Sequence, residues 1–169
     1  MTDAIRTAIE GASAYLAEHP DEARYFDSKA TATLGEGLHV SVEGPAGERL
    51  ETDMPSAVGG AGAAPSPGWF LRASVAACVA SLARMRASQL GLVGFAGSVE
   101  VDSESDDRGI LGLDPGMPAG PLRMRIILRV GADGADAGKL QEIAEWAVDH
   151  CPVSDAMKRA IPVEVTVSS

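Results

Sequence analysis

The sequence predicts an α+β fold, and three observations carry that reading. Three strand-like stretches precede a long apolar helix, and a second strand pair precedes another helix. The resulting order βββ-α-ββ-α-β contains no repeated βαβ unit, so a doubly wound parallel sheet is excluded. Each element has a local cause.

Thr2-Asp3 caps a first helix, with Ile5, Ala8, Ile9, Ala12, Tyr15 and Leu16 at helical spacing. It stops near His19-Pro20, because the residue before proline is pushed out of the α region. Lys29 to Leu34 is rich in β-branched and small residues, and Leu38 to Glu43 alternates apolar with polar. After the turn signal Gly44-Pro45-Ala46-Gly47, Arg49 to Asp53 returns as a third strand, which makes a meander. Pro55 to Pro67 is a Gly/Ala/Pro loop that leads into the central helix. Ser66 suits the N-cap, Pro67 the first helical position and Gly91 the stop.

Ser98 to Ser103 reads as a strand. Asp106 to Gly120 follows as a Gly/Pro-rich connection long enough for a lid or an interface loop. Arg123 to Val130 is the strongest strand pattern in the chain. Asp136 caps a helix on which Leu140, Ile143, Ala144, Ala147 and Cys151 share one face. A short helix from Ser154 and a terminal strand, Val163 to Val167, complete the order.

The length of 169 residues suits one domain with its own core. A net charge of −10 argues against a nucleic-acid partner, which needs concentrated Lys and Arg. The apolar stretch from Trp69 to Leu82 is interrupted by Arg72, Ser74 and Ser81 and is too short to span a bilayer. The chain opens polar, without the basic and apolar regions of a secretion signal. The expectation is therefore a cytoplasmic protein with no membrane partner, in which cysteines are redox-active, metal-binding or inert.

There are two cysteines, Cys78 within the central helix and Cys151 before Pro152. With three histidines far from zinc-ligand spacing, no metal and no cofactor are expected. An ordinary thiol is only about 3% ionised at pH 7, so a reactive Cys78 needs help. The helix dipole does not provide it, because Cys78 lies roughly 16 Å beyond Pro67 along the axis. Arg72 and Arg84 point about 120° away. Ser74 and Ser81 offer hydrogen bonds but no charge. On these residues alone, two small buried hydrophobes are the simpler reading, ahead of a dithiol.

Asp53-Met54-Pro55, Val58-Gly59-Gly60, Pro65-Ser66-Pro67 and Ala76-Ala77-Cys78 together resemble the OsmC/Ohr family, the organic hydroperoxide resistance superfamily. Cys151-Pro152-Val153-Ser154 is similar to that family's second cysteine motif. The order of elements agrees from about Lys29 to Val167. Residues 1–25 stand outside it as an added amphipathic helix, and 26–169 form a single OsmC-like domain.

The resemblance implies an OsmC-like fold, antiparallel sheets around two long buried helices, in an intertwined homodimer. It implies a thiol-dependent peroxidase acting on organic, lipid-type hydroperoxides. Cys78 would attack the peroxide, Cys151 would resolve the sulfenic acid as a disulfide, and an external dithiol reductant would restore both thiols. The Ohr-like arginine and glutamate positions fall near Glu36 or Gly37 and at Ala57 and Val58, and the OsmC-like placement shortly before Pro67 finds only Ala, Gly and Ser, so neither residue is retained. Arg49 or an arginine of the partner chain is a candidate substitute, with a solvated strand residue the simpler reading of Arg49; His150 is a candidate to tune Cys151, against a role at its helix terminus. The alternative to a peroxidase is a non-enzymatic dimeric scaffold or apolar-ligand-binding protein of the same fold.

Overall fold

The structure is a computed structural model and describes residues 2–168. The chain divides into two compact units, Glu10–Ala73 on one side and Met1–Ile9 with Ser74–Ser169 on the other. Two helices run from one unit into the other: α1 (Thr2–Glu18) and α2 (Pro67–Gln89).

In the Glu10–Ala73 unit, β1 (Thr31–Leu34), β2 (Val40–Glu43) and β3 (Arg49–Thr52) form the expected antiparallel meander. Thr31 pairs with Glu43, and Val40 with both Leu34 and Thr52. Beyond β3, the loop to α2 is organised by one buried carboxylate. Asp53 is 1% exposed. Its Oδ1 accepts the Met54 N–H at 2.7 Å, and its Oδ2 accepts those of Ala61 at 3.1 Å and Ala63 at 3.0 Å. Its own N–H donates to the Pro65 carbonyl at 3.3 Å. A β-carbon at Gly60 would stand 1.8 Å from the Met54 carbonyl oxygen, so only glycine lets the backbone pass there. Ser66 then starts α2, its Oγ accepting the Trp69 N–H at 3.3 Å.

The Ala63 N–H leads the groups that hold the Asp53 carboxyl below its ordinary range, against the effect of burial, with Met54, Ala61 and His39 adding to it. A depressed folded value contributes stability above the unfolded carboxylate range of about 4, lost as pH falls through the folded value. Asp53→Ala therefore lowers the urea midpoint at pH 7. The gap to wild type narrows as Asp53 protonates; a gap that stays constant from pH 7 to pH 3 contradicts this account.

In the other unit, β4 (Ala96–Glu104) pairs antiparallel with β5 (Arg123–Gly131), Val101 facing Ile126. The two faces differ in chemistry. Glu100, Asp102 and Glu104 pair with Arg129, Arg125 and Arg123 on the exposed face. Val99, Val101, Met124, Ile126, Leu128 and Val130 pack on the core. That core is made by one stripe of α2, Val75, Val79, Ala83 and Ala87, against Ile143, Ala147 and Phe95. Ile143 and Ala147 belong to α4 (Ala137–Asp149), which Asp136 caps as expected by accepting the Lys139 N–H at 2.8 Å.

Helix α2 ends where the sequence places its stop. Gly91 takes φ +71°, and the Leu92 N–H returns to the Ala87 carbonyl at 2.9 Å, closing the last turn. Near that end α2 is tied to α4. Arg86 Nε donates to Glu142 Oε1 at 3.0 Å, Lys139 Nζ donates to Glu142 Oε2 at 3.0 Å, and the Arg86 guanidinium lies 5.4 Å from the Trp146 ring centroid.

Three expectations need correction. The connection from Asp106 to Gly120 contains a helical turn, α3 (Asp107–Ile110), because Asp106 accepts the Arg108 N–H as an N-cap. The last helix, α5 (Pro152–Lys158), begins before Ser154. Proline fills its first position and leaves Cys151 extended at the N-cap. The terminal strand is absent: residues 160–168 carry no strand, and Val163, Val165 and Val167 are 78–90% exposed. Their alternation marks one apolar face, but a strand also needs a neighbouring backbone to pair with. No helix among the described residues is long and apolar enough to cross a membrane.

Candidate functional site

The two cysteines, far apart in sequence, meet within the Ser74–Ser169 unit. Helical spacing explains each position. On α4, Ile143 and Ala147 are successive core residues at i and i+4, and Cys151 continues that line just past the helix end, fully buried. On α2, Cys78 stands one residue before the buried Val79 and packs at the edge of the same cluster, partly exposed. The two thiols are free, and each shifts the acidity of the other.

The first turn of α5 surrounds the sulfurs with donors. As N-cap residue, Cys151 accepts the Ser154 N–H on its Sγ at 3.4 Å. The Val153 N–H favours the charged form of both sulfurs. Ser154 is 2% exposed, and its buried hydroxyl has no hydrogen-bond partner among the described residues.

These contacts divide the acidity of the pair. Burial first, and the neighbouring Cys151 after it, push the Cys78 thiol up to about 11, against the Val153 N–H. Burial also acts to raise Cys151. There the Ser154 hydroxyl and N–H, the Cys78 thiol and the Val153 N–H outweigh it and leave Cys151 below its ordinary value. Interactions that favour the charged form are the cause, so Cys151 is the more acidic thiol of the pair.

The other sequence candidates are occupied elsewhere. Arg49 is 67% exposed and pairs with Glu43 at 3.1 Å and Glu51 at 3.7 Å, the solvated strand residue of the simpler reading. His150 stacks on Trp146, ring centroids 4.1 Å apart, and its Nδ1 meets the Trp146 carbonyl at 2.8 Å. It thus serves the α4 terminus. Ser81 donates to the Ala77 carbonyl at 3.0 Å on the exposed side of α2, and Arg84 lies over Phe95. Ser154 is the site residue that single-residue reasoning misses. Its signal was its place three positions after an N-cap, where a backbone N–H is free to donate. Among the described residues, no group of three or more His, Cys, Asp or Glu could hold a metal ion.

The family model described as OsmC-like protein matches residues 59–166, a span that includes both cysteines. Over 145 residues the chain is 31% identical to an organic hydroperoxide resistance protein of Xanthomonas axonopodis pv. citri (strain 306), covering 85% of this chain and 94% of that protein. Among solved structures, the organic hydroperoxide resistance protein OsmC of Legionella pneumophila is similar at a TM-score of 0.57 and 23% identity, covering 80% of this chain and 91% of that one. An OsmC-like protein of Mycoplasma pneumoniae gives a TM-score of 0.65 at 14% identity, covering 80% and 89%. Motifs, element order and these similarities agree: the chain belongs to the OsmC-like family.

Proposed function

We propose that this protein is a thiol-dependent peroxidase that reduces organic hydroperoxides through Cys78 and Cys151. The observation that carries the reading is that two cysteines from distant segments pack on one apolar cluster, near enough to shift each other's acidity, with Cys78 partly exposed. The relatives named organic hydroperoxide resistance proteins support the same substrate class.

Accessibility assigns the order of events. Cys151 is fully buried, so the peroxide reaches Cys78 first. The Cys78 sulfur attacks one peroxide oxygen; an S–O bond forms, the O–O bond breaks, and the alkoxide leaves as alcohol after taking a proton. Cys151 then attacks the Cys78 sulfenic acid, forming the S–S bond and releasing hydroxide, which is protonated to water. An external dithiol reduces that disulfide by exchange. The apolar side chains around Cys78, Val75, Val79 and Leu82, suit an alkyl or acyl hydroperoxide better than hydrogen peroxide.

The functional form is a homodimer. A second copy would cover apolar side chains that a single chain leaves exposed, such as Leu34 at 86% and Val167 at 90%. Light scattering on the eluting protein is expected to give the mass of two chains, and a single-chain mass at micromolar concentration contradicts it.

One observation favours the scaffold alternative: a Cys78 thiol pushed up to about 11 is inert by itself at neutral pH. The deciding experiment is turnover. Reduced protein with an excess of dithiothreitol and cumene hydroperoxide is expected to consume peroxide well above the reductant background, and faster than it consumes hydrogen peroxide. Consumption at background level leaves the scaffold reading standing.

A further inference from the structure

We infer that Arg86 is a positioning residue for disulfide closure: it grips the Glu142–Trp146–His150 face of α4 and so fixes the register in which α4 presents Cys151 to Cys78 on α2. The inference deepens the proposed function and rests on Cys78 and Cys151 being one redox pair.

Closure is demanding in geometry. Cys151 attacks the sulfur of the Cys78 sulfenic acid; the S–S bond forms, the S–O bond breaks, and hydroxide leaves and is protonated to water. A relaxed disulfide confines its two α-carbons to separations of about 4.4–6.8 Å. A slip of two residues along a helix, about 3 Å, exceeds the width of that window. The apolar contact between α2 and α4 resists such a slip poorly. Burial decides which faces meet, but it is non-directional. Ile143 is the large side chain that α4 contributes, while Ala83, Ala87 and Ala147 have little to interlock.

Directional contacts come from Arg86. Its Nε donates to Glu142 Oε1 at 3.0 Å, and its guanidinium lies 5.4 Å from the Trp146 ring centroid. Glu142, Trp146 and His150 follow one another at i, i+4 and i+8 along a single face of α4 and its C-cap. His150 stacks on Trp146 with ring centroids 4.1 Å apart and 15° between the planes, and Cys151 is the next residue. One arginine of α2 thus holds two successive turns of α4, and the stack carries that hold to the residue before the thiol.

The ion pair is also less exposed than its counterparts. Arg86 and Glu142 are 27% and 36% exposed, against 56–81% for the pairs between β4 and β5. Arg86 first, and Lys139 after it, hold the Glu142 carboxyl below its ordinary range, so the contact stays charged at neutral pH. Fixing register is the best-attested use of an ion pair withdrawn from water. The spacing along the chain fits that use. Arg86 lies eight residues after Cys78, and Glu142 nine before Cys151. Both spans are roughly 12–14 Å along a helix axis. Because α2 runs from Cys78 to Arg86 and α4 from Glu142 towards Cys151, the two are antiparallel here, and fixing one pair brings the other level.

The test equilibrates the full chain in dithiothreitol buffers of graded redox poise and counts the Cys78–Cys151 disulfide by intact mass after acid quench. Arg86→Met keeps the stem and removes the charged fork, and its disulfide is expected to be about tenfold easier to reduce than that of wild type. Arg86→Lys keeps the charge without the planar fork and falls between the two. Glu142→Gln shifts the equilibrium in the same direction, and combining it with Arg86→Met adds little, because both break one contact. With cumene hydroperoxide under rapid quench, Arg86→Met is expected to form the Cys78 sulfenic acid within about twofold of the wild-type rate and to close the disulfide about tenfold more slowly.

An Arg86→Met disulfide as stable and as quickly closed as in wild type overturns the inference. Equal slowing of both steps overturns it as well, since that marks a general loss of fold. If circular dichroism shows Arg86→Met unfolded, Arg86→Lys and Glu142→Gln decide by the same two readouts. The equilibrium involves no peroxide, so a protein with these shifts that consumes no hydroperoxide refutes the peroxidase reading and leaves the role of Arg86 standing. A wild-type chain that forms no Cys78–Cys151 disulfide in any buffer removes both.

Discussion

Cys78→Ser is expected to abolish dithiol-dependent hydroperoxide consumption, a loss on the order of a thousandfold or more, while the protein remains folded. A hydroxyl in place of the thiol cannot be oxidised to a sulfenic acid, and the fully buried Cys151 stands behind it, out of reach of the substrate. The expected phenotype of Cys151→Ser is different in kind. Its Cys78 reacts once and slowly, no intramolecular disulfide forms, and turnover with a dithiol is lost or passes through an exposed sulfenic acid. The contrast between the two variants separates attack from resolution. Equal residual activity in both, near wild type, would falsify the assignment of either cysteine. Far-ultraviolet circular dichroism alongside the kinetics shows whether each variant keeps its helices.

The largest effect on stability is expected from Ile143→Ala. Ile143 is fully buried on α4, two turns before Cys151 on the same line, and packs in the cluster formed with the Val75, Val79, Ala83 and Ala87 stripe of α2. Truncation removes three carbons from a close-packed interior, and the cavity adds to the lost transfer energy. The expected cost is about 2–5 kcal/mol, against about 0.5–1.5 kcal/mol for Ile143→Val. Urea unfolding checks it, with the midpoint shifted and the slope m little changed. Because Ile143 sets how α4 lies on α2, Ile143→Ala is also expected to slow disulfide closure between Cys78 and Cys151. A cost below about 1 kcal/mol shows that this cluster does not hold the two helices in register.

How much of this was legible in the chain depends on whether the cause is local. Helix α2 was readable at both ends, because Ser66-Pro67 and Gly91 act through their own backbone chemistry. The place of Cys151 on the α4 face followed from i+4 spacing to Ala147. The β4–β5 pair was readable from the alternation of Arg with apolar residues along β5, and the structure extends both strands by a residue or more. The start of α5 was missed because Ser154 resembles an N-cap, yet Pro152 cannot donate and fits the first helical position, which makes Cys151 the cap. The terminal strand was expected too readily. Val163, Val165 and Val167 define a face, and sequence alternation says nothing about whether a partner strand is available.

The site divides in the same way. The identity of the cysteine pair was open to motif reasoning, and the fate of Arg49 and His150 matched their simpler readings. The difference in acidity between the two thiols was not legible. It follows from how residue 78 on one helix and residues 151, 153 and 154 at the start of another come together, which no local pattern encodes. Asp53 was visible only as part of a motif; its work as the acceptor that folds the 54–65 loop appears only in three dimensions.

The central claim is that Cys78 and Cys151 form one redox unit, and stoichiometric oxidation tests it most directly. Fully reduced protein is mixed, without reductant, with one equivalent of cumene hydroperoxide per chain. Free thiols and intact mass are then measured, followed by peptide mapping. The expected result is the loss of both thiols, a mass lower by two hydrogens, and a single peptide pair joined between Cys78 and Cys151 of the same chain. Both thiols surviving the treatment, or Cys78 accumulating as sulfinic acid with Cys151 still free, contradicts it.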